Sequence, residues 1–252
     1  MNLQAVSTTT FAPLRWRRPA DWRFAAHEWR LPLGMAELAP AVLSYPIAFA
    51  RQGTALLPYA LVSLVEGQNW WVAPDGQWRA GHLPAILRAY PFRLAHAESG
   101  DRVLAVDMDS GLVGGDTGEP FFDGDTLTPA LQEISGQLVQ AEQGHLQAAQ
   151  ACAALEAHGV IVPWPLTVRA PEGERRLEGL FKVDEAALAR VALPALDAIR
   201  RAGGLPLAYC QMLSMQQVPL LGRMAEQPAS PAPEPTVQWP EFGGTISFAN
   251  LG

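Results

Sequence analysis

Apolar positions along this chain come in short runs. Trp22, Phe24 and Ala26 fall at every second position and so on one face, which is the period of a half-buried strand. Met35 to Ser44 has the spacing of a short helix. Tyr45–Ala50 and Tyr59–Val65 are apolar runs of strand length. Asn69–Ala73, a Pro-Asp-Gly turn and Trp78 predict a hairpin. Pro84 suits the first turn of a short helix that Pro91 stops. Phe92–Ala97 and Val103–Asp107 read as strands, followed by a loop rich in Gly and Asp. Thr128 followed by Pro129 predicts an N-cap and the start of a long helix closed by Gly159. Leu131, Ile134, Leu138, Leu146, Cys152 and Leu155 would form its apolar face, and Gly136 and Gly144 weaken it.

Val160–Val168 and Leu177–Val183 predict two further strands. Asp184 caps the helix that starts at Glu185. Leu205–Cys210 reads as a strand, and Ser214 with Gln217 has capping-box spacing for a last helix. Strands and helices mix without regular βα alternation. The expected class is therefore α+β: a single domain with a mixed or largely antiparallel sheet, several short helices and one longer helix. Residues 1–21 read as a loosely held N-terminal arm and 22–224 as the domain. Residues 225–252 form a Pro-rich C-terminal extension, with five prolines between Glu226 and Pro240.

Composition narrows the function classes. The 252 residues carry a net charge of −7, and Lys182 is the only lysine. Scattered arginines on an acidic chain make a poor nonspecific phosphate binder, so no nucleic-acid partner is expected. No apolar stretch approaches the roughly 20 residues of a membrane span. The N-terminus has no apolar core of a signal peptide, and the two cysteines, Cys152 and Cys210, form no disulfide framework. A cytoplasmic location is expected.

The candidate chemistry is sparse. Asp107 and Asp109 end an apolar strand as Asp-x-Asp, an arrangement some phosphotransferases use, but Ser110 and Gly111 do not continue that motif. The same pair, within an acid-rich loop, has oxygens suited to a divalent cation. The five histidines have no helical metal-ligand spacing, and the serines lack a nucleophile elbow. No cofactor is predicted. The densest feature is Glu66–Leu94, with Trp70, Trp71, Trp78 and the run Arg88-Ala89-Tyr90-Pro91-Phe92. Adjacent Trp70 and Trp71 would face opposite ways on a strand. Asn69, Trp71, Trp78, His82, Arg88 and Tyr90 are the candidate ligand-binding residues. They would line a cleft where hairpin meets helix, or else lock those elements together.

Ordered blocks give a family resemblance. Ala36-Glu37-Leu38, Tyr45-Pro46-Ile47-Ala48-Phe49, Gly76-Gln77-Trp78, Leu83-Pro84-Ala85 and Arg88-Ala89-Tyr90-Pro91-Phe92 resemble segments of the SapC proteins, a bacterial family. Pro120-Phe121-Phe122-Asp123 and Gly179–Glu185 fit as well, so the resemblance spans about residues 22–224. Ala89 and Met108 depart from the family pattern. The resemblance implies no catalytic residues. It associates the chain with modification and uptake proteins and, by the family's name, with a surface-layer locus. Three roles follow. The first is an accessory protein, more binding module than enzyme, that binds a peptide, a protein partner or a small ligand. The others are a metal-dependent enzyme cooperating with modification or uptake proteins, and a surface-layer-associated structural protein. Oligomeric state is left open.

Overall fold

Ile47–Gln52 and Ala55–Leu61 pair along their length and form the centre of a five-stranded antiparallel sheet. Across this sheet the order is Ile161–Pro163, Leu180–Val183, Ile47–Gln52, Ala55–Leu61 and Arg30–Pro32. Both faces are covered, which is why the two central strands read as unbroken apolar runs. Ile47, Phe49 and Ala60 pack on one side with Cys152, Leu155, Leu207 and Ala208. Ala48, Ala50, Tyr59 and Leu61 pack on the other with Trp164, Leu177 and Leu221. The computed structural model describes residues 2–97, 100–170 and 173–225. The expected Pro-rich extension lies, from residue 226, outside the described residues.

A second sheet of three strands orders Leu3–Ala5, Arg102–Asp107 and Phe92–His96, again antiparallel. One of its faces carries Phe92, Leu104 and Val106 onto Phe11, Trp16, Phe121 and Leu131. The helix Pro129–Ala157 joins the two cores. Its first half supplies Leu131, Ile134 and Leu138 to the second sheet, and its last turns supply Ala151, Cys152 and Leu155 to the first. Where it crosses the chain before Met35, Gly144 meets Gly34 backbone to backbone. A Cβ on Gly144 would sit 3.3 Å from the Gly34 Cα.

The architecture is α+β with antiparallel sheets and one long helix. Several local expectations are corrected. The N-terminal residues are not a loose arm. Leu3–Ala5 is a sheet strand, and Phe11 and Trp16 are fully buried, because aromatic burial there outweighs the cost of ordering the chain. Trp22, Phe24 and Ala26 lie on no strand. Arg23–Ala25 is a single 3-10 turn whose Phe24 and Ala25 are buried together.

Leu205–Cys210 belongs to the helix Gly204–Ser214, whose buried positions Gly204, Leu207, Ala208, Gln211 and Ser214 have helical spacing. Ser214 therefore caps no new helix. Its Oγ accepts the Ile47 N–H at 2.8 Å and ties this helix to the sheet. The Thr128 hydroxyl likewise donates to the Pro120 carbonyl rather than capping its helix. Leu146 points to solvent.

Other elements follow the pattern. Leu38–Val42 and Ala85–Arg88 are short helices, and Asp184 caps the helix Glu185–Ala189 by accepting the Ala187 N–H. Among the described residues no helix is long and apolar enough to cross a membrane.

Candidate functional site

The six residues expected to share one cleft divide among three places. Asn69, Trp71, Trp78 and His82 form a packed lock. The Asn69 amide donates to the Ala25 carbonyl at 3.0 Å, and its oxygen accepts the Trp71 N–H at 3.0 Å. Trp71 is buried edge-on to Tyr45, with ring centroids 5.6 Å apart. The loop between Trp71 and Trp78 is a tight irregular hairpin, closed by the Val72–Trp78 bridge. Trp78 Nε1 then donates to the His82 carbonyl at 2.9 Å, which the Tyr45 hydroxyl also reaches.

Glu37 anchors the same lock from beneath. Its Oε2 accepts the Gly34 N–H at 3.1 Å and its Oε1 the Ala85 N–H at 2.6 Å, with His82 Nε2 at 3.5 Å. Burial pushes the carboxyl up, but His82 and the two backbone donors outweigh burial and hold it below the usual carboxylate range. Buried His145 faces the same carboxylate, and burial pulls its imidazole down. Every polar group of the lock that Glu37 touches serves to fix the short helix and the hairpin. Arg88 is elsewhere: it is exposed and stacks on no ring among the described residues.

Tyr90 belongs to a second group, built around Arg93. It is buried and stacked on Phe24, with centroids 4.1 Å apart and planes 11° from parallel. Arg93 lies on Phe92–His96 directly opposite Ala105 of Arg102–Asp107. Side chains alternate along a strand, so Asp107 shares the face of Ala105 and is the diagonal neighbour of Arg93. This is the face of the second sheet that Phe92 and Val106 leave free. Arg93 Nη1 donates to the Ile86 carbonyl at 3.1 Å. Glu28, which follows the turn at Arg23–Ala25, is brought to the same arginine.

Desolvation dominates this group. It raises the Glu28 carboxyl to about 7, against the pull of Arg93 and Arg30. It lowers the Arg93 guanidinium to about 9, against the support of Tyr90, Glu28 and Asp107. It raises the Tyr90 phenol to about 12. Glu28 and Arg93 nonetheless retain some exposure, whereas Tyr90 and Asp107 are closed off. Among the described residues no hydrogen bond or ion pair reaches the Glu28 carboxylate. A half-buried acid of this kind, beside a desolvated cation, is a feature of binding and reaction sites.

The pair expected to hold a divalent cation is differently engaged. Asp107 Oδ1 accepts the N–H groups of Asn2 at 3.3 Å and Asp109 at 3.1 Å, and its Oδ2 is buried without a hydrogen-bond partner among the described residues. Burial raises its carboxyl. No three His, Cys, Asp or Glu side chains among the described residues are placed to hold a metal ion. Asp107 thus serves to anchor the N-terminal strand and to counter Arg93. Neither Glu28 nor Arg93 belongs to a motif in the sequence. The available signal for Arg93 was a charged residue in the middle of a strand between Phe92 and Leu94.

The blocks that position both groups, from Glu37 to Phe92, are those of the family resemblance. A family model described as SapC matches residues 6–221. The chain belongs to the SapC family. The SapC match begins at residue 6 and so includes the buried Phe11 and Trp16, ahead of the start that the motifs suggested. No curated protein and no solved structure matches the chain.

Proposed function

We propose that this SapC-family chain is an accessory binding protein that takes a polar segment of a peptide or protein partner at the Glu28–Arg93 opening. The observation that carries this reading is the Glu28 carboxylate, half-buried and hydrogen-bonded to no group among the described residues. Burial of such a group is costly unless something satisfies it. Arg93 beside it adds a desolvated cation, and Glu28 offers an acceptor. A peptide amide presents the complementary N–H and C=O together. The stacked Phe24–Tyr90 pair, buried in the same group, keeps these surroundings rigid.

Of the residues first expected to bind, only Tyr90 belongs to the group around Arg93, where it is buried. On this reading the protein acts without catalysis, and the free thiols Cys152 and Cys210 suit a reducing cytoplasm. No specific observation favours the metal-dependent enzyme or the surface-layer role.

A synthetic peptide array probed with the full chain tests the reading. Discrete peptides should be retained by the wild type and lost by Glu28→Ala, with the variant's urea unfolding still cooperative. Retention of the same peptides by folded Glu28→Ala would overturn it.

A further inference from the structure

Helices Leu38–Val42 and Gly204–Ser214 pack side by side. Their outward residues include Ala39, Pro40, Leu43, Pro206, Tyr209 and Leu213. Leu43 is 79%, Tyr209 52% and Leu213 56% exposed. Neither helix exposes a charged residue. Gly204–Ser214 contains none, and Glu37, at the start of the other, is buried. Isolated exposed leucines need no explanation, but two neighbouring helices with an uncharged outer face form a surface suited to a docked segment.

The chain itself supplies a segment of matching chemistry. Residues 226–252 follow the helix Val218–Ala225, which begins four positions after Ser214. They open with the Pro-rich tract and end in Val237, Trp239, Phe242, Ile246, Phe248 and Leu251, without a single lysine or arginine. A tract of this kind from 226 to 238, extended, reaches roughly 40 Å. The helix Val218–Ala225 is only about 12 Å long, so Trp239 has ample reach to the face that holds Leu213. Tethering also places the segment at millimolar effective concentration, so a modest apolar contact suffices to keep it docked.

We infer that the C-terminal segment 237–251 of this same chain docks on the uncharged face formed by Leu38–Val42 and Gly204–Ser214. This is independent of the Glu28–Arg93 reading, because the face includes none of those residues.

The test replaces Leu43 by the photo-crosslinking residue p-benzoylphenylalanine in the full chain. Unlabelled and ¹⁵N-labelled chains are mixed before irradiation and trypsin digestion. Arg223 is the last cleavage site, so the segment appears as the single peptide Met224–Gly252. The expected product joins Leu31–Arg51 to Met224–Gly252 within one isotopic species, and is lost with Trp239→Ala and Phe242→Ala together. Mixed-isotope adducts would show a second copy on the face and overturn the inference. So would an adduct only with another protein when lysate is added, no adduct at all, or an adduct that survives the double substitution.

Discussion

Replacing Glu28 by glutamine should make this protein more stable at neutral and alkaline pH, the reverse of what deleting a charge near an arginine ordinarily does. The carboxyl rises from 4.5 to about 7 on folding, chiefly because burial strips its water. The folded state therefore holds its proton more tightly than the unfolded state. Between those two values the folded protein binds more protons, so stability falls as pH rises through that window and is flat outside it. At 1.36 kcal/mol per unit, the shift corresponds to an upper bound of roughly 3 kcal/mol. Glu28 retains some exposure, and solvent screening reduces the expected effect to about 1–2 kcal/mol. Glutamine mimics the protonated acid in shape and charge. In urea titrations from pH 4 to 9, Glu28→Gln and wild type should coincide near pH 4. They should separate between 4.5 and 7, and differ by that amount at pH 8 with the variant the more stable. A variant less stable at pH 8, or a difference constant with pH, would refute both the desolvated carboxylate and the opening built on it. Stability gained by removing a group whose presence costs stability is what a site held for binding predicts.

Four further outcomes follow from the geometry. Glu37→Gln should cost about 2–3 kcal/mol at pH 7, because charge-assisted bonds to the Gly34 and Ala85 N–H groups weaken. Its carboxyl is held low, so that stability is present above the ordinary carboxylate range and is lost as pH falls through the folded value. The gap from wild type should close on acidification, opposite in slope to Glu28, and urea titrations at pH 7 and pH 3 check it. Gly136→Ala, where an added Cβ meets nothing within 4 Å, should stabilise the long helix by about 1 kcal/mol. Gly144→Ala, 3.3 Å from the Gly34 backbone, should destabilise by roughly 1–3 kcal/mol, and thermal melts of the two variants should shift in opposite directions. Trp71→Ala should cost roughly 3–5 kcal/mol and Arg88→Ala stay within about 0.5 kcal/mol of wild type, a contrast that denaturant midpoints read directly.

Where one physical signal dominated locally, the sequence was readable. The unbroken apolar run from Ile47 to Ala50 meant a strand buried on both faces. Pro129 stands in the first turn of the long helix, and Asp184 capped the next one through Ala187. It misled where a short apolar run had two solutions. Leu205–Cys210 is as apolar as a strand, and its helical identity rests on Gln211 and Ser214. Those are polar residues buried because they bond to Val183 and Ile47, 28 and 167 positions away. The N-terminal arm failed for the same reason. Arg15, Arg17 and Arg18 are exposed, yet Trp16 between them is buried against Phe92 at 4.9 Å.

The candidate site was hidden by a related effect. Tryptophans and an Arg-Ala-Tyr-Pro-Phe run draw attention to Asn69–Phe92, but Trp71 packs on Tyr45, Trp78 ties down His82, and Phe92 belongs to the core of the second sheet. What makes Glu28 and Arg93 unusual is the loss of water around them, and desolvation is a property of the assembled surroundings rather than of residue type or spacing. Glu28 becomes perturbed only when the turn at Arg23–Ala25, the short helix ending at Arg88 and the second sheet close around Arg93 together. The family blocks therefore mark the scaffold that creates this environment. If the Glu28–Arg93 opening is the binding site, substitutions in the lock, such as Trp71→Ala, should weaken binding only as far as they unfold the protein. Glu28→Gln should weaken it while raising stability. Only this second variant moves the two quantities in opposite directions, and that divergence separates a binding group from the scaffold that holds it.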